Sequence, residues 1–354
     1  ARADPGPPPG TPTPVPTEAA LMDAAAAEGG PQRWAPPLAG TSTGVELVEG
    51  TVRLSTTRDG TETGPAALRG AQRQGLLDLG AHQFGTAVNR VDVPVTGDVP
   101  PGSAVAVDVR GQASGGQWSE WIPAEPGAPA LLPEPTRTVA VRLALLAPVG
   151  SAGPTVRSLE VVADHVATGP RTLTPRASYR VFATREGLVG GTTANGHRIV
   201  PDDQFAALPS RRALSPDGRG DYSVRICTDA GRCATVPVWD VGPWNTTDDY
   251  WNPPDIRQAW KDLPQGRPQA QAAFENRYNG GRDGFGREVR NPAGIDLADG
   301  TFYGLGLGTN AFVTVEYLWT APAAALGRAI TGGAGPVVER AAPDVAAADG
   351  GVVG

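Results

Sequence analysis

The chain contains few residues of several types, and each shortage excludes a class of protein or site. Its 354 residues include two cysteines, one methionine and three histidines. Lys261 is the single lysine, and acidic residues exceed basic ones by seven, for a net charge of -7. This acidic balance without a basic cluster does not suit nucleic-acid binding. No run reaches the roughly 18–20 apolar residues of a membrane-spanning helix, so no membrane span is predicted.

Glycine and proline, in contrast, are abundant, with 47 and 36 copies. This composition approaches that of partly disordered proteins, although a hydrophobic content of 40% still supplies cores. The wealth of alanine, glycine and proline is typical of a high-GC bacterium such as an actinobacterium. The chain begins Ala-Arg-Ala-Asp-Pro-Gly and continues with a Pro/Thr run, as exported proteins often do after cleavage. We therefore expect a secreted, extracellular protein.

The two cysteines agree with an oxidising compartment. Cys227 and Cys233 flank the turn-forming segment 229–232 (Asp-Ala-Gly-Arg), which predicts a hairpin with one cysteine on each arm. A disulfide is favoured there. A pair of free thiols and half of a metal site are the alternatives, but no further cysteine or neighbouring histidine completes a zinc set. We expect neither a metal nor a cofactor.

Composition and periodicity divide the chain into five parts. Residues 1–40 are predicted to be a Pro/Ala-rich, disordered leader, and residues 321–354 are predicted to be a disordered tail. Residues 41–165 contain short runs with period-two alternation separated by Pro, Gly and Ser turns, which predicts a jelly-roll-like β-sandwich accessory domain. A linker at 166–177 precedes a second strand-rich domain at 178–320. Within it, segment 244–293 is an insertion with two proline-led helical patterns, at 254–262 and 268–277.

The sandwich carries one distinctive segment, 117–121 (Gln-Trp-Ser-Glu-Trp). It resembles the accessory modules that precede catalytic domains in secreted actinobacterial wall enzymes. Trp118 and Trp121 either form a platform for a sugar or pack in the core or at an edge of the sandwich. The sequence leaves both readings open.

Four segments in order carry a resemblance in the second domain: 190–197 (Gly-Gly-Thr-Thr-Ala-Asn-Gly-His), 205–209 (Phe-Ala-Ala-Leu-Pro), 236–243 (Val-Pro-Val-Trp-Asp-Val-Gly-Pro), and 295–298 (Ile-Asp-Leu-Ala) with Phe302 and 304–307 (Gly-Leu-Gly-Leu). Together they resemble the double-psi β-barrel of the rare lipoprotein A, expansin and barwin type. The resemblance implies a fold that is mainly β, in which a six-stranded double-psi barrel with a helical insertion follows the sandwich. It also implies secreted proteins that act on cell-wall polysaccharide.

The resemblance places a functional aspartate at Asp240, in the position of the Asp of Asp-x-Gly-Pro. The chain differs from the family pattern at two other positions. Leu208 occupies the position of the histidine that matters in the transglycosylase-like members, and Val241 replaces the arginine of Asp-Arg-Gly-Pro. These departures leave open whether the barrel is an enzyme or a binding protein.

Asp240 and Asp296 each end an apolar, β-prone run and are the candidate catalytic residues. Glycoside cleavage needs a carboxylic acid with a raised pKa, and apolar neighbours of Asp240 could desolvate it. Two carboxyls stand about 6.5–9.5 Å apart for inversion and about 5–5.5 Å for retention, whereas a transglycosylase needs a single acid/base. The alternative is structural: Asp240 binds turn amides, and Asp296 caps a helix.

Five further residues are candidates for substrate binding. Trp244, Tyr250 and Trp251 follow Asp240 and either stack on sugars or pack a cap over the barrel. Asn195 and His197 lie in the turn of segment 190–197, where His197 is a substitute base or a solvated turn residue. Calcium binding by Asp248, Asp249 and Asp283 stays open, although these residues lack the regular spacing of a calcium loop.

The sequence thus predicts a monomeric, secreted protein whose barrel groove binds cell-wall polysaccharide, peptidoglycan or another glycan. In the enzyme version, a lytic transglycosylase or glycoside hydrolase, Asp240 is the general acid/base. In the alternative, the barrel binds glycan without cleaving it, like expansins, or resembles the protease inhibitors among the relatives. A structural wall protein is a further alternative.

Overall fold

The computed structural model describes residues 30–55, 72–167 and 177–320, together with the backbone of strand 338–340. The described residues do not include the leader residues 1–29, the linker residues 168–176 or the tail residues 321–337 and 341–354. The disorder predicted for the leader and the tail therefore falls outside the described residues, apart from residues 30–40 and 338–340. No helix within the described ranges has the length and apolar character that a membrane crossing requires.

The N-terminal domain is built from two antiparallel sheets. Its strands are β1 (Gln32–Trp34), β2 (Thr41–Thr43), β3 (Val45–Val48), β4 (Thr51–Leu54), β5 (Gln72–Asp92), β6 (Val95–Asp98), β7 (Ala104–Gln112), β8 (Ile122–Pro123), β9 (Ala130–Pro148), β10 (Thr155–Leu159) and β11 (Val161–Asp164). The larger sheet has the order β1-β11-β5-β9-β7-β8 with β2 beside β5, and the smaller one is β3-β4-β10-β6.

Alternation along the strands produces the core between these sheets. In β4, Val52 and Leu54 are buried while Arg53 is exposed, and the buried side chains join Leu143 of the other sheet in one cluster. This arrangement confirms the expected sandwich. The domain begins before residue 41, because β1 pairs with β11 and Trp34 stacks on His82.

The C-terminal domain confirms the predicted six-stranded barrel. Its strands are β12 (Ser178–Arg185), β13 (Ala206–Leu208), β14 (Ser223–Cys227), β15 (Arg232–Val241), β16 (Ala293–Leu297) and β17 (Ala311–Tyr317). They pair in the order β13-β16-β12-β17-β14-β15, and β13 also pairs with β15, which closes the sheet. Two pairs are parallel, β12 with β16 and β13 with β15. The backbone strand β18 (Val338–Arg340) continues the sheet beside β15.

The insertion between β15 and β16 contains one of the two helices that the sequence predicts. Helix α1 (Gln269–Asn276) follows Pro268 as expected, and a second helix, α2 (Asp299–Gly304), follows β16. Segment 254–262 forms turns instead. The buried guanidinium of Arg257 reaches Asp248, and Trp260 has a φ of 58°, outside the right-handed helical region.

The barrel packs against the larger sheet of the sandwich, so β9 is buried on both faces. Leu143 and Leu145 belong to the sandwich core, whereas Ala140 and Ala144 pack with barrel residues. This double burial explains why segment 139–145 is apolar almost throughout, since a strand covered on one face would alternate. The two domains therefore share a continuous interior.

The Trp-Ser-Glu-Trp segment of the sandwich is the centre of this interface. Trp121 is 1% exposed, its backbone N–H donates to Arg212 O, and its Nε1 donates to Leu214 O. The guanidinium carbons of Arg110 and Arg142 each lie 4.3 Å from its ring centroid. The Trp121 ring is thus in contact with two arginines inside the interface, and the packing alternative holds for this residue.

The predicted disulfide is confirmed, since Cys227 and Cys233 are bonded and face each other across the β14–β15 hairpin. We expect the double variant Cys227→Ser, Cys233→Ser to lose about 2 kcal/mol of unfolding free energy, the entropy of closing a loop this short. Urea titration of the oxidised protein, the reduced protein and the variant measures it. Identical midpoints for all three would contradict this expectation.

Candidate functional site

The register of the barrel strands brings the two candidate aspartates together. Ala207 of β13 stands opposite Asp240 on one side and Asp296 on the other, and Thr184 of β12 is the next partner of Asp296. Residues directly opposite each other on paired strands point to the same face of the sheet. Thr184, Asp296, Ala207 and Asp240 thus form one row, which we call the carboxylate row. Its two aspartates are about 10 Å apart at their Cα atoms, two strand spacings.

Asp240 is enclosed at the end of β15, where it is 0% exposed. Its Oδ1 accepts hydrogen bonds from the backbone N–H of Ala194 at 2.7 Å and of Val241 at 2.8 Å. Backbone donors of this kind stabilise an ionised carboxylate. The structural role that the sequence allowed for Asp240, binding turn amides, is therefore present.

Asp296 is 8% exposed and has a different environment. Burial raises the pKa of its carboxyl to about 7, the hydrogen bond from Thr184 Oγ1 opposes that shift, and the charge of Asp240 adds to it. Asp296 does not cap a helix, because the residue that precedes α2 is Ala298. The row therefore places a carboxylate bound by two backbone N–H groups beside a carboxyl that holds its proton up to near-neutral pH, an arrangement that suits acid/base chemistry.

Leu208 is fully buried and belongs to the barrel core. It follows Ala207, so its side chain points to the opposite side of β13 from the carboxylate row. A histidine in this position of the present structure would be inside the core.

The turn 193–197 covers the Asp240 end of the row. Asn195 organises the turn: its Oδ1 accepts from Thr193 Oγ1 at 2.6 Å and from His197 N at 3.1 Å, and its Nδ2 donates to Ser215 O at 2.9 Å. Gly196, with a φ of 101°, contacts Thr43 of the sandwich so closely that a Cβ would clash. This turn therefore joins the carboxylate row to the interface between the domains.

His197 is held by two carboxylates. Its Nε2 lies 2.8 Å from Asp203 Oδ2, its Nδ1 lies 3.3 Å from Asp217 Oδ1, and its side chain is 21% exposed. The ring packs on Trp239, with centroids 4.7 Å apart. His197 thus anchors two loops instead of standing free in solvent.

The aromatic residues after Asp240 lie in packed surroundings. Tyr250 and Trp251 are at most 1% exposed. Tyr250 Oη donates to Gly294 O and accepts from Tyr317 Oη, and Trp251 stacks on Tyr317. Neither ring has a face open to a sugar. Trp244 is partly exposed, although its Nε1 donates to Asn291 Oδ1 and it packs against α1.

Three buried aspartates of the insertion each pair with an arginine. Asp248 binds Arg257, Asp249 binds Arg212, and Asp283 binds Arg287. Asp248 Oδ2 also accepts from Gln269 N at the start of α1. Burial raises the pKa of Asp248 to about 6, against the opposing charge of Arg257. No group of metal-ligating side chains is found among the described residues.

A cleft of about 470 Å³ lies between the two domains, next to the carboxylate row. The sandwich lines it with residues of β2, β5, β7 and β9, and the barrel with Asn195 and segment 214–219. Trp118 is partly exposed at the wall of the cleft, beside Arg110. Sequence reasoning did not find this cleft, since its walls come from distant segments; the Trp-Ser-Glu-Trp segment was the one local signal.

Comparisons with known proteins give one family match within the chain and leave its activity open. Residues 177–316 match a family model described as a domain of unknown function, DUF8814. No curated protein matches the chain. One solved structure, a truncated AlyQ with CBM32 and alginate lyase domains, is 10% identical, covers 79% of this chain and 98% of its own, and has a TM-score of 0.15. A score this low is far below that of a shared fold. The C-terminal barrel is thus similar to a family without an assigned function.

Proposed function

We propose that this protein is secreted and that its barrel binds and cleaves a cell-wall polysaccharide. The observation that supports the proposal best is the carboxylate row, in which Asp240 and Asp296 flank Ala207 on one face of the sheet. Asp296, with its pKa raised to about 7, is the general acid. Asp240, bound by two backbone N–H groups, is its ionised partner.

In this proposal, Asp296 gives its proton to the glycosidic oxygen as the bond from that oxygen to the anomeric carbon breaks. The sugar's own hydroxyl, or a water molecule, then attacks the anomeric carbon and returns a proton to the carboxylate of Asp296. The charge of Asp240 favours the protonated form of its neighbour before the reaction. The roles are thus exchanged relative to the sequence-based expectation, which made Asp240 the acid.

The resemblance to rare lipoprotein A and expansin-type barrels supports the choice of substrate. Segment 236–243 contributes Asp240, and segment 295–298 contributes Asp296. The disulfide between Cys227 and Cys233 supports a location in an oxidising compartment outside the cytoplasm. The cell wall lies in such a compartment.

Incubation with purified peptidoglycan and with cellulose tests the enzyme proposal, with reducing and anhydro sugars as the readout. We expect product from the wild type and a rate at least about 100-fold lower for Asp296→Asn, because the amide cannot donate an acidic proton. The rate of the wild type should fall as the pH rises above about 7, where Asp296 ionises. Asp229→Asn is a matched control, since Asp229 is an exposed barrel aspartate whose ion pair with Arg180 is also exposed. Equal rates for Asp296→Asn and wild type would contradict the assignment.

A second candidate is binding without cleavage, which the complete enclosure of Asp240 and the core position of Leu208 favour. In that case the protein sediments with insoluble glycan, and no sugar is released from peptidoglycan or cellulose. The same incubation separates the two candidates, because binding is measured in the pellet and cleavage in the supernatant.

A further inference from the structure

We propose that the cleft between the sandwich and the barrel is a binding site for a short, neutral oligosaccharide. The inference deepens the proposed function and rests on it, since it names where the glycan chain is held. The volume of about 470 Å³ falls within the usual range of ligand pockets, roughly 300–1,000 Å³. Both domains line the cleft, so it exists only when they are packed together.

The cleft presents an aromatic surface that is fixed in place. The guanidinium of Arg110 lies between Trp118 and Trp121, 4.3 Å from the centroid of each ring. Arg110 is itself held by an ion pair with Asp221 at 2.9 Å. Trp118 therefore lines the cleft in a defined orientation, and a rigid indole offers the apolar area on which the C–H face of a pyranose ring packs.

The polar groups of the cleft carry both signs. Arg219 is exposed at its rim, and Asp78 and Asp217 also line it. The buried cations Arg110 and Arg142 are neutralised by aspartates outside the lining, Asp221 and Asp108. The remaining lining charges, Arg219 against Asp78 and Asp217, differ by a single unit, so the lining has no cluster of one sign that would select an anion or a cation. Sugar hydroxyls donate and accept hydrogen bonds, so they suit a wall of guanidinium, carboxylate and amide groups.

The position of the cleft connects it to the carboxylate row. Asn195 lines the cleft, and the preceding residue, Ala194, donates its N–H to Asp240. Leu76 and Leu214 of the cleft pack in one cluster with Val241, the residue after Asp240. A glycan held in the cleft therefore lies beside the turn that covers the row, and the sandwich takes part in substrate binding.

Isothermal titration with the β-1,4-linked tetramers of N-acetylglucosamine and of glucose tests the site. We expect at least one tetramer to bind the wild type, and Trp118→Ala and Arg219→Ala each to weaken that binding about tenfold, the loss typical of an aromatic or arginine anchor. Because the ligand is neutral, raising the salt concentration should leave the affinity unchanged. Arg219→Ala should leave the fold intact. The Arg219 side chain is exposed where it pairs with Asp221, and such ion pairs contribute little to stability.

Tyr303→Ala and Arg157→Ala are matched controls, because Tyr303 is 56% exposed on α2 and Arg157 pairs with Asp98 on the far sheet of the sandwich. They should bind like the wild type. The cleft inference is overturned if neither tetramer binds, or if the cleft variants bind like the controls. Measuring cleavage beside binding separates the two proposals. Tetramer binding by the wild type without cleavage refutes catalysis alone, whereas cleavage that Trp118→Ala leaves intact refutes the cleft alone.

Discussion

Replacing Glu120 by alanine should remove about 3–5 kcal/mol from the free energy of unfolding, the penalty for leaving buried partners of a charge unsatisfied. Glu120 belongs to the sandwich, yet all its side-chain partners are in the barrel domain. Oε1 accepts from the indole Nε1 atoms of Trp251 and Trp319 at 2.6 and 2.7 Å. Oε2 accepts from Asn252 Nδ2 at 2.8 Å and lies 3.3 Å from Arg212 Nε.

The pKa of Arg212 shows how strongly the buried contacts of Glu120 depend on its charge. Burial lowers the pKa of Arg212, but the charges of Glu120 and Asp249 more than offset that effect, and the pKa ends above its ordinary value. Without Glu120, one of these two compensating charges is lost, while the indole and amide N–H groups stay buried.

Urea unfolding followed by fluorescence and by far-UV circular dichroism measures the effect of Glu120→Ala. We expect a lower midpoint and a wider gap between the transitions of the two domains, since the residue joins them. Glu120→Gln should lose less, because one amide oxygen still accepts from both indoles. The control is Glu134→Ala, an exposed glutamate of β9 in the sandwich. A Glu120→Ala midpoint equal to that of the control would show that the interface does not depend on this carboxylate.

Asp296 should make the protein less stable as the pH rises from 4 to 8. The pKa of its carboxyl is about 7 in the folded chain against a model value of 3.8, so the folded state binds the proton more tightly than the unfolded state. The stabilisation is complete below about pH 4 and is lost as the pH rises through 7. The linked free energy is about 4 kcal/mol, since each pKa unit corresponds to about 1.4 kcal/mol.

Comparing Asp296→Asn with the wild type isolates this contribution from other titrating groups such as Asp248. The free energy difference between the two proteins should shift by about 4 kcal/mol in favour of the variant between pH 4 and 8. Asp229→Asn, which removes an exposed carboxylate, should follow the wild-type pH dependence. Parallel curves for Asp296→Asn and the wild type would show that Asp296 titrates normally, and the general-acid role would be lost with it.

The local patterns that predicted the fold correctly are those that act over a few residues. Alternation in segments such as 51–54 predicts a strand because every second side chain needs burial. The turn between Cys227 and Cys233 predicts the hairpin because its residues suit tight backbone geometry. Pro268 marks the start of α1, as the sequence predicts. The similar signal at Pro254 is not followed by a helix, because Arg257 is buried in an ion pair with Asp248.

The candidate site was only partly predictable. Asp240 and Asp296 could be chosen because each ends an apolar run, but their common neighbour, Ala207, follows from strand register alone. Thr184, which donates to Asp296, carries no local signal. Tyr250 and Trp251 look like a sugar platform in sequence, yet they fill the space between the barrel and Glu120.

By itself, the sequence determined the strands, the hairpin with its disulfide, and the two aspartates at strand ends, because these features depend on side-chain period and turn chemistry. The tertiary structure decided which aspartate holds a proton, since burial and the charge of the other carboxylate exist only after β13 joins β15 and β16. It also decided that Trp121 joins the domains while Trp118 lines a cleft between them. Those roles arise from the packing of a sandwich sheet on a barrel, a contact between residues far apart in the chain.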